Sequence, residues 1–569
     1  MNRLFCKHIK REVTSLDGAW RYAACSEDNG EADFSKGLKN AKTVIIPSVW
    51  NTEKDLLEYE GAVWYERDFY TEGGTLRFSF GAVMTKATVY LDGELLGEHY
   101  GGFCKFHFTK TNVSKGIHRL TVKADNRFDK YSIPHAVVDW YHYGGITRSV
   151  EVERLKGITV LYSLLDYTLE ENQAECKLRL ELYNAKNEKL CDNISVALDG
   201  KNVYASKVSL EAYESRTLEV AFSFDNAERW SPDSPRLYTL LTETSSDDLY
   251  ERVGFRKVEV KEKDILINGK KTVILGVNRH EDHPDFGMAF PASLMGRDLD
   301  IIGGMGCNSI RGSHYPNAPI FIDMLDERGM LFWSEIPMWG PGYSEELFRD
   351  GDFVKRATDM HREMILEYYN HPSIIIWGIF NETDTTTEAA KEFTKTCYDL
   401  LKNEGGNRLV TYATNKLTRD VCLEYCDFIS LNVYVGWYEY NEEGFDSWEN
   451  ALETLETYFE KAGVSEKPIV MSEFGAAAIY GHHTFDNLKW TEEYQSELIE
   501  SCLRLFLVKK GYTGAYIWQF SDIRTAKEAG INRARSYNNK GLLNEYRRPK
   551  LAYRTVKNFF ETFKKENNM

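Results

Sequence analysis

The sequence predicts a multidomain β plus α/β protein: an N-terminal jelly-roll β-sandwich, an immunoglobulin-like β-sandwich and a C-terminal (β/α)8 TIM barrel. Three observations lead there. The 569 residues exceed what one hydrophobic core usually holds. Up to about residue 260 the apolar residues fall in short alternating runs separated by turn residues. Beyond residue 261 the rhythm changes, and short apolar runs alternate with stretches of helical periodicity.

Residues 1–155 form the first unit. Alternating runs stand at 76–82 (LRFSFGA), 87–91 (ATVYL), 119–123 (RLTVK) and 149–153 (SVEVE), and Asp92-Gly93 marks a tight turn. Residues 156–260 form the second, with CKLRLELYN, ISVALDG, RTLEVAFSF and YTLLTETS spaced as in an immunoglobulin-like sandwich. In the third, 261–569, strands are expected at 272–279, 307–312, 330–335, 373–380, 409–413, 427–434, 468–473 and 513–520. Helices are expected at 292–304, 317–328, 353–369, 386–403, 446–461, 493–509 and 549–563. Strands of that number, with helices in most of the gaps, spell a closed parallel barrel.

Composition narrows the function. With 70 Lys and Arg against 87 Asp and Glu the net charge is −17, which disfavours nucleic acid and anionic lipid as partners. An anionic small substrate then requires a local cationic pocket. No run of 18 apolar residues exists, so no membrane span is expected. No secretory signal is visible in MNRLFCKHIKREVT, and the 10 scattered Cys read as reduced thiols, so the expected location is cytoplasmic. The 12 Trp and 34 Tyr suit sugar-binding faces and ordinary β-sheet cores equally.

In a (β/α)8 barrel the chemistry sits where the strands end. The expected ends carry Asn278, Arg279 and His280; Arg311, Ser313, His314 and Tyr315; Glu335; Asn381 and Glu382; Asn432, Tyr434 and Tyr438; Glu473; and Trp518. Any one of these alone reads as a solvated loop group or a cap. Together they put two carboxyls, Glu382 and Glu473, on opposite staves of one rim. Such a pair, about 5–5.5 Å apart, is what a retaining glycosidase uses. One member must hold a proton and the other must be ionised, so their surroundings must separate their pKa values.

Several long stretches resemble glycoside hydrolase family 2. NSIRGSHYPNAPIFIDMLDERGMLFWSEIP and NHPSIIIWGIFNE are similar to its two signatures, and PIVMSEFG to its nucleophile segment. LDGAW, WYERDF and DWYHYGGITRSVEV are similar to its N-terminal β domain. Within the family the chain is most similar to bacterial β-glucuronidases. The resemblance implies that Glu382 is the acid and then the base, and that Glu473 is the nucleophile. It implies that Asn381 binds the sugar 2-hydroxyl and that Tyr434 donates to the nucleophile. Asn432 and Tyr438 would line the same wall, while Asp139, His314 and Trp518 would contact the sugar ring. A loop salt bridge is the alternative reading for Asp139. For Arg311 and His280 the reading is that they hold the rim together.

The substrate follows from Arg533-Ala534-Arg535-Ser536-Tyr537-Asn538-Asn539-Lys540-Gly541. β-Glucuronidases carry an Asn-x-Lys motif here for the C6 carboxylate of glucuronic acid, and Asn538 and Lys540 match it. A carboxylate in a desolvated pocket wants a cation and an amide. The family's pocket Arg aligns with Ala534, so the chain departs from the pattern there; Arg533 is preferred over Arg535 as its replacement. The barrel-rim stretch after Trp339, GPGYSEELFRDGDF, is short, which suggests access for larger conjugates.

The expected function is therefore hydrolysis of a small-molecule glucuronide, or of an oligosaccharide, by double displacement. β-Galacturonidase and β-galactosidase activities are the alternatives within the family, and a non-catalytic carbohydrate-binding protein is a remote one. No cofactor is required, and no metal is expected, since His280, Glu281, Asp282 and His283 lack ligand spacing. A homotetramer or dimer is expected.

Overall fold

The computed structural model describes residues 3–25, 33–171, 173–438, 447–527 and 532–569. Strict alternation builds its two β-sandwiches. In Gln173–Asn184, for example, Ala174, Cys176, Leu178, Leu180 and Leu182 point inward while the residues between them face outward. The N-terminal sandwich packs a four-stranded sheet on a six-stranded one, around Trp20, Phe69, Phe78, Phe80, Leu120 and Val122. Asp92 and Gly93, both at positive φ (52° and 84°), turn the chain between Lys86–Leu91 and Glu94–Tyr100. The second sandwich has three strands on four, the seven-strand count of an immunoglobulin-like domain.

The barrel closes with eight parallel strands. They are β1 (Ile274–Arg279), β2 (Ser309–Gly312), β3 (Leu331–Glu335), β4 (Ile374–Asn381), β5 (Leu409–Thr414), β6 (Ile429–Asn432), β7 (Ile469–Phe474) and β8 (Gly514–Ile517). Every expected strand is present, and closure comes from β8 pairing with β1 at Gly514 and Ile274. Nearly every strand residue is buried, as a sheet wrapped by helices requires. Gly276 has no room for a side chain, because a Cβ there would lie 2.3 Å from the Tyr516 ring that fills the lumen.

The outer ring holds α1 (Ala292–Gly304), α2 (Pro319–Arg328), α3 (Glu345–Arg349), α4 (Gly351–Tyr368), α5 (Glu388–Glu404), α6 (Trp448–Lys461), α7 (Glu492–Leu503) and α8 (Leu551–Glu566). α3 is the one the hydrophobic pattern does not reveal, being only five residues long. Between β5 and β6 the described chain makes only a 3-10 turn, Leu417–Arg419. The expected helix 493–509 splits, its last part being a π-helical turn, Arg504–Lys509. Side-chain caps start most helices: Ser344, Asp350, Thr387, Ser447 and Thr491 each accept a backbone N–H of the first turn. Each such cap contributes about 1 kcal/mol.

The two ends of the barrel meet different partners. At the strand starts, the small sheet of residues 258–271 puts Val258, Ile265 and Ile267 against Ile274, Leu331 and Trp333. There Arg256 also donates to the carbonyls of Pro372, Ile374 and Asn407. At the strand ends, the N-terminal sandwich sends the segment 126–149 over the rim. Tyr143 donates to Asp282 at 2.6 Å, Arg148 reaches Glu281 at 3.2 Å, and Phe103 stacks on Tyr315 at 4.5 Å.

One buried guanidinium ties both sandwiches. Arg11 bonds Asp247 twice (2.9 and 2.8 Å), Glu153 at 2.6 Å and the Val160 carbonyl at 2.6 Å. Removing it takes the guanidinium from buried Asp247 and leaves buried Glu153 with Arg77 at 3.7 Å and the Ser79 hydroxyl. Arg11→Met is therefore expected to cost about 3–5 kcal/mol. Urea unfolding checks this; an unchanged midpoint would show that the tie carries no stability.

Candidate active site

The strand ends set the geometry. β4 finishes at Asn381, and Glu382 follows at φ 54°, a left-handed conformation that a non-glycine residue rarely adopts. That turn aims the half-buried Glu382 carboxyl across the barrel mouth, where Glu473 rises from β7. Asn432 on β6 links the two strands: its amide donates to Glu382 Oε1 at 2.7 Å and to Asn381 Oδ1 at 3.1 Å. Its own oxygen accepts from Ser472, the neighbour of Glu473, at 2.8 Å.

Arg311, at 0% exposure, is the hub. Its guanidinium donates to Glu473 Oε1 at 2.8 Å, to both oxygens of Glu335 at 3.1 and 2.8 Å, and to Asn381 Oδ1 at 2.7 Å. It lies over the Trp333 ring at 4.6 Å. Tyr434 donates to the other oxygen of Glu473 at 2.8 Å. His314 Nδ1 meets Glu335 at 2.7 Å, so with Glu335 paired to Arg311 the proton belongs on Nδ1. Two buried atoms here, His314 Nε2 and Asn381 Nδ2, have no hydrogen-bond partner.

Burial raises both carboxyls of the pair. At Glu382 burial and the adjacent Glu473 charge carry the pKa to about 7, opposed chiefly by the Asn432 amide. At Glu473 the upward push of burial is countered by the Arg311 guanidinium and the Tyr434 hydroxyl. Burial and Glu473 keep the Tyr434 phenol well above its usual range, so it remains a donor. Burial lowers His314 well below the usual imidazole range, with Arg311 adding to it, and the ring is neutral.

An aromatic wall encloses this pair. Trp518 stacks on His314 at 5.1 Å, and Trp140 from the N-terminal sandwich packs on His314 at 5.5 Å and on Trp339 at 6.0 Å. His280 holds Tyr315 at 3.1 Å and meets the Trp518 edge at 5.5 Å.

A second cluster adjoins the first. Lys540 is 1% exposed, and its ammonium donates to the Tyr438 hydroxyl at 2.8 Å. The same ammonium faces the rings of Tyr438 (4.9 Å), Tyr434 (5.7 Å) and Trp437 (5.7 Å). Burial alone would raise the Tyr438 phenol, but Lys540 and Arg533 lower it. Arg533 pairs with Asp139 at 2.5 and 3.2 Å, and Asn538 donates to Asp139 at 2.7 Å. Asp139 thus makes a salt bridge, and makes it inside the pocket. Arg535 turns away to Glu545 (2.9 Å) and Asn539 (2.9 Å). The rings of Tyr434 and Tyr438, 5.4 Å apart, join this cluster to the carboxyl pair.

All twelve candidate residues therefore lie in one continuous region. Arg311 and Glu335, named above only as strand-end groups, belong there too, and so does Trp140, which the sequence reading did not single out. Arg311 does more than brace the rim, since it bonds Glu473 directly. Strand-end position was the available signal for Arg311 and Glu335; Trp140 had only its place in the DWYHYGG stretch. His280, Glu281, Asp282 and His283 disperse to separate partners. Elsewhere Asp323, Asp326 and His371 bring ligand-type atoms within 4.8 Å. Arg3, the Leu4 and Ser373 amides, and the His371–Asp326 bond already engage these atoms, so this is an ion-pair network.

Known proteins share this architecture. Residues 258–565 match the family described as glycosyl hydrolases family 2, TIM barrel domain, and residues 164–256 match glycosyl hydrolases family 2. A curated β-glucuronidase of Paenibacillus borealis is 26% identical, over 96% of this chain and 97% of its own length. Among solved structures, the β-galacturonidase of Eisenbergiella tayi bound to galacturonate superposes with a TM-score of 0.92 at 35% identity, covering 99% of both chains. The Ruminococcus gnavus β-glucuronidase in complex with D-glucuronic acid gives 0.85 at 26% identity, covering 98% of this chain and 99% of that one. The chain belongs to glycoside hydrolase family 2 and is a β-glycosidase.

Proposed function

We propose that the chain is a retaining exo-β-uronidase that releases the terminal hexuronic acid of β-D-glucuronides. The observation that carries the reading is Lys540. An ammonium at 1% exposure, whose hydrogen-bonded acceptor among the described residues is a phenol, with aromatic faces around it, calls for an anionic partner. A hexuronate supplies one through its C6 carboxylate, and Asn538 and Arg533 stand beside it. A neutral hexose would leave the ammonium without one.

The chemistry proceeds in two displacements. In the first, a Glu473 oxygen bonds to the anomeric carbon as the glycosidic C–O bond breaks, and Glu382 gives its proton to the departing oxygen. In the second, water attacks the same carbon and its proton passes to Glu382, which frees Glu473. Arg311 and Tyr434 hold Glu473 ionised and aimed. Burial keeps the proton on Glu382. Asn381 Nδ2 is the donor for the 2-hydroxyl, His314 Nε2 accepts from a ring hydroxyl, and Trp518 provides an apolar face. None of these steps calls for a cofactor. Only Gly340–Ser344 separate Trp339 from α3, which supports access for oligosaccharide conjugates.

A specific observation favours β-galacturonides as the second reading. The Eisenbergiella tayi β-galacturonidase shares 35% of its residues with this chain, against 26% for the Ruminococcus gnavus β-glucuronidase. The two sugars differ only at C4, and the carboxylate logic serves both.

Parallel assays on aryl β-glucuronide, β-galacturonide and β-galactoside decide among them. Lys540→Ala is expected to lower uronide kcat/KM about 100-fold, the loss of one buried charged hydrogen bond, while any galactoside turnover stays within a few-fold. Equal losses on all three would remove the carboxylate assignment. Proton NMR of the first-formed product should show the β anomer; initial release of the α anomer would rule out retention. Because Glu382 must be protonated, kcat/KM is expected to fall as pH rises through about 7. Glu382→Gln should abolish that limb with activated phenols and slow poorly activated aglycones by roughly 10²–10⁴-fold. A limb that survives the substitution belongs to another group.

A further inference from the structure

Lys550 ends the segment that follows the Asn-x-Lys motif and directly precedes α8. Its side chain is fully buried, as is that of its partner Asp522. The ammonium donates to the Ala478 carbonyl at 2.7 Å, to Asp522 Oδ1 at 2.8 Å and to the Asn539 carbonyl at 3.0 Å. An ammonium has three N–H groups, so each one serves a different segment. Ala478 belongs to the chain that leaves β7 after Glu473, Asp522 to the chain that leaves β8 after Trp518, and Asn539 to the motif itself. Asp522 Oδ1 also accepts the Gly541 amide at 2.9 Å. The residues on both sides of Lys540 are thus tied to one ion pair. Lys540 itself is held by the Gln519 amide, which donates to its carbonyl at 3.1 Å. There is no slack at Gly541, where a Cβ would lie 2.2 Å from the Asp522 amide nitrogen.

We propose that Lys550, paired with Asp522, is a positioning residue that sets the distance between the nucleophile and the ammonium that reads the sugar's carboxylate. The inference rests on the uronidase reading of Lys540. A hexuronate carries its anomeric carbon and its carboxylate on one ring. Both ends are engaged at once only if Glu473 and Lys540 stand at the spacing that ring dictates. The two come from different staves, and Lys550 is where their loops are joined: Ala478 lies five residues past Glu473, and Asn539 adjoins Lys540. The Ala478 amide donates to the same Asn539 carbonyl at 3.0 Å, so the joint contains both a backbone bond and a cation. Stability alone does not explain a cation here, since a buried ion pair is often no better than well-packed apolar residues. What the ammonium adds is three fixed directions. Moving a binding group by about 1 Å costs on the order of 100-fold in rate. Lys550 touches neither the substrate nor the reacting atoms, and acts through the loops it joins.

A double-mutant cycle with Lys540→Ala tests this, read as kcat/KM on whichever aryl β-uronide the wild type cleaves. Lys550→Met alone is expected to lower it about 30-fold. In the Lys540→Ala background no carboxylate reader is left to position, and the same change is expected to cost no more than about threefold. Losses that multiply in full overturn the proposal, because Lys550 would then support the nucleophile or the fold and not the reader. A single variant within about threefold of wild type overturns it as well. Lys550→Met takes the cation from buried Asp522. Should that variant fail to fold, as judged by circular dichroism, Lys550→Met combined with Asp522→Asn removes the unpaired charge and carries the same comparison. Failure of the uronidase reading has a different signature: wild type would cleave no uronide, or Lys540→Ala by itself would leave uronide turnover unchanged.

Discussion

One buried guanidinium organises the active site. Arg311 sits at the barrel axis with acceptors from four directions: Glu473, Glu335, Asn381 and the face of Trp333. A cation in that setting is tolerable only because every donor is engaged. Its presence makes two chemically identical side chains unequal. Glu473 lies against it and is stabilised as an anion. Glu382 is held by the Asn432 amide and feels Glu473's charge, so it keeps a proton to near neutrality. The same guanidinium fixes Glu335, which orients His314 and determines which ring nitrogen faces the cavity.

Around this centre the domains divide the work by barrel end. The immunoglobulin-like sandwich and the small sheet of residues 258–271 seal the strand starts with apolar side chains and Arg256. The N-terminal sandwich closes over the strand ends and contributes Trp140 and Asp139 to the cavity wall. Parallel staves leave their most reactive groups at one mouth, and part of the wall there comes from another domain.

The sequence made the scaffold readable because periodicity is local. Most barrel strands lie in largely apolar runs, and α1 falls on its expected bounds, Ala292–Gly304. The five-residue α3 and the split at Arg504 escaped because one helical turn, or a change of winding, leaves no period to detect. In the site, Glu382 and Glu473 were legible from strand-end position and motif. The contacts that give them their properties were not. Arg311 reaches Glu473 across 162 positions, and Arg533 reaches Asp139 across 394. The choice between Arg533 and Arg535 illustrates the limit. Arg535 adopts a left-handed backbone (φ 61°), as does Ser536 (φ 58°), and its side chain meets Glu545. Nothing in the string RARS announces that turn.

The loop carrying Asp139 is clamped by Trp140 within the aromatic wall and by Tyr143 and Arg148 on the rim acids. Those clamps are independent of the residue they display. On the proposed reading, sugar recognition at position 139 and bond cleavage at the carboxyl pair sit in different domains, so position 139 can exchange its side chain during evolution while the carboxyl pair and its guanidinium stay as they are. Enzymes built this way are expected to diversify their sugar preference in a β domain that performs no catalysis of its own.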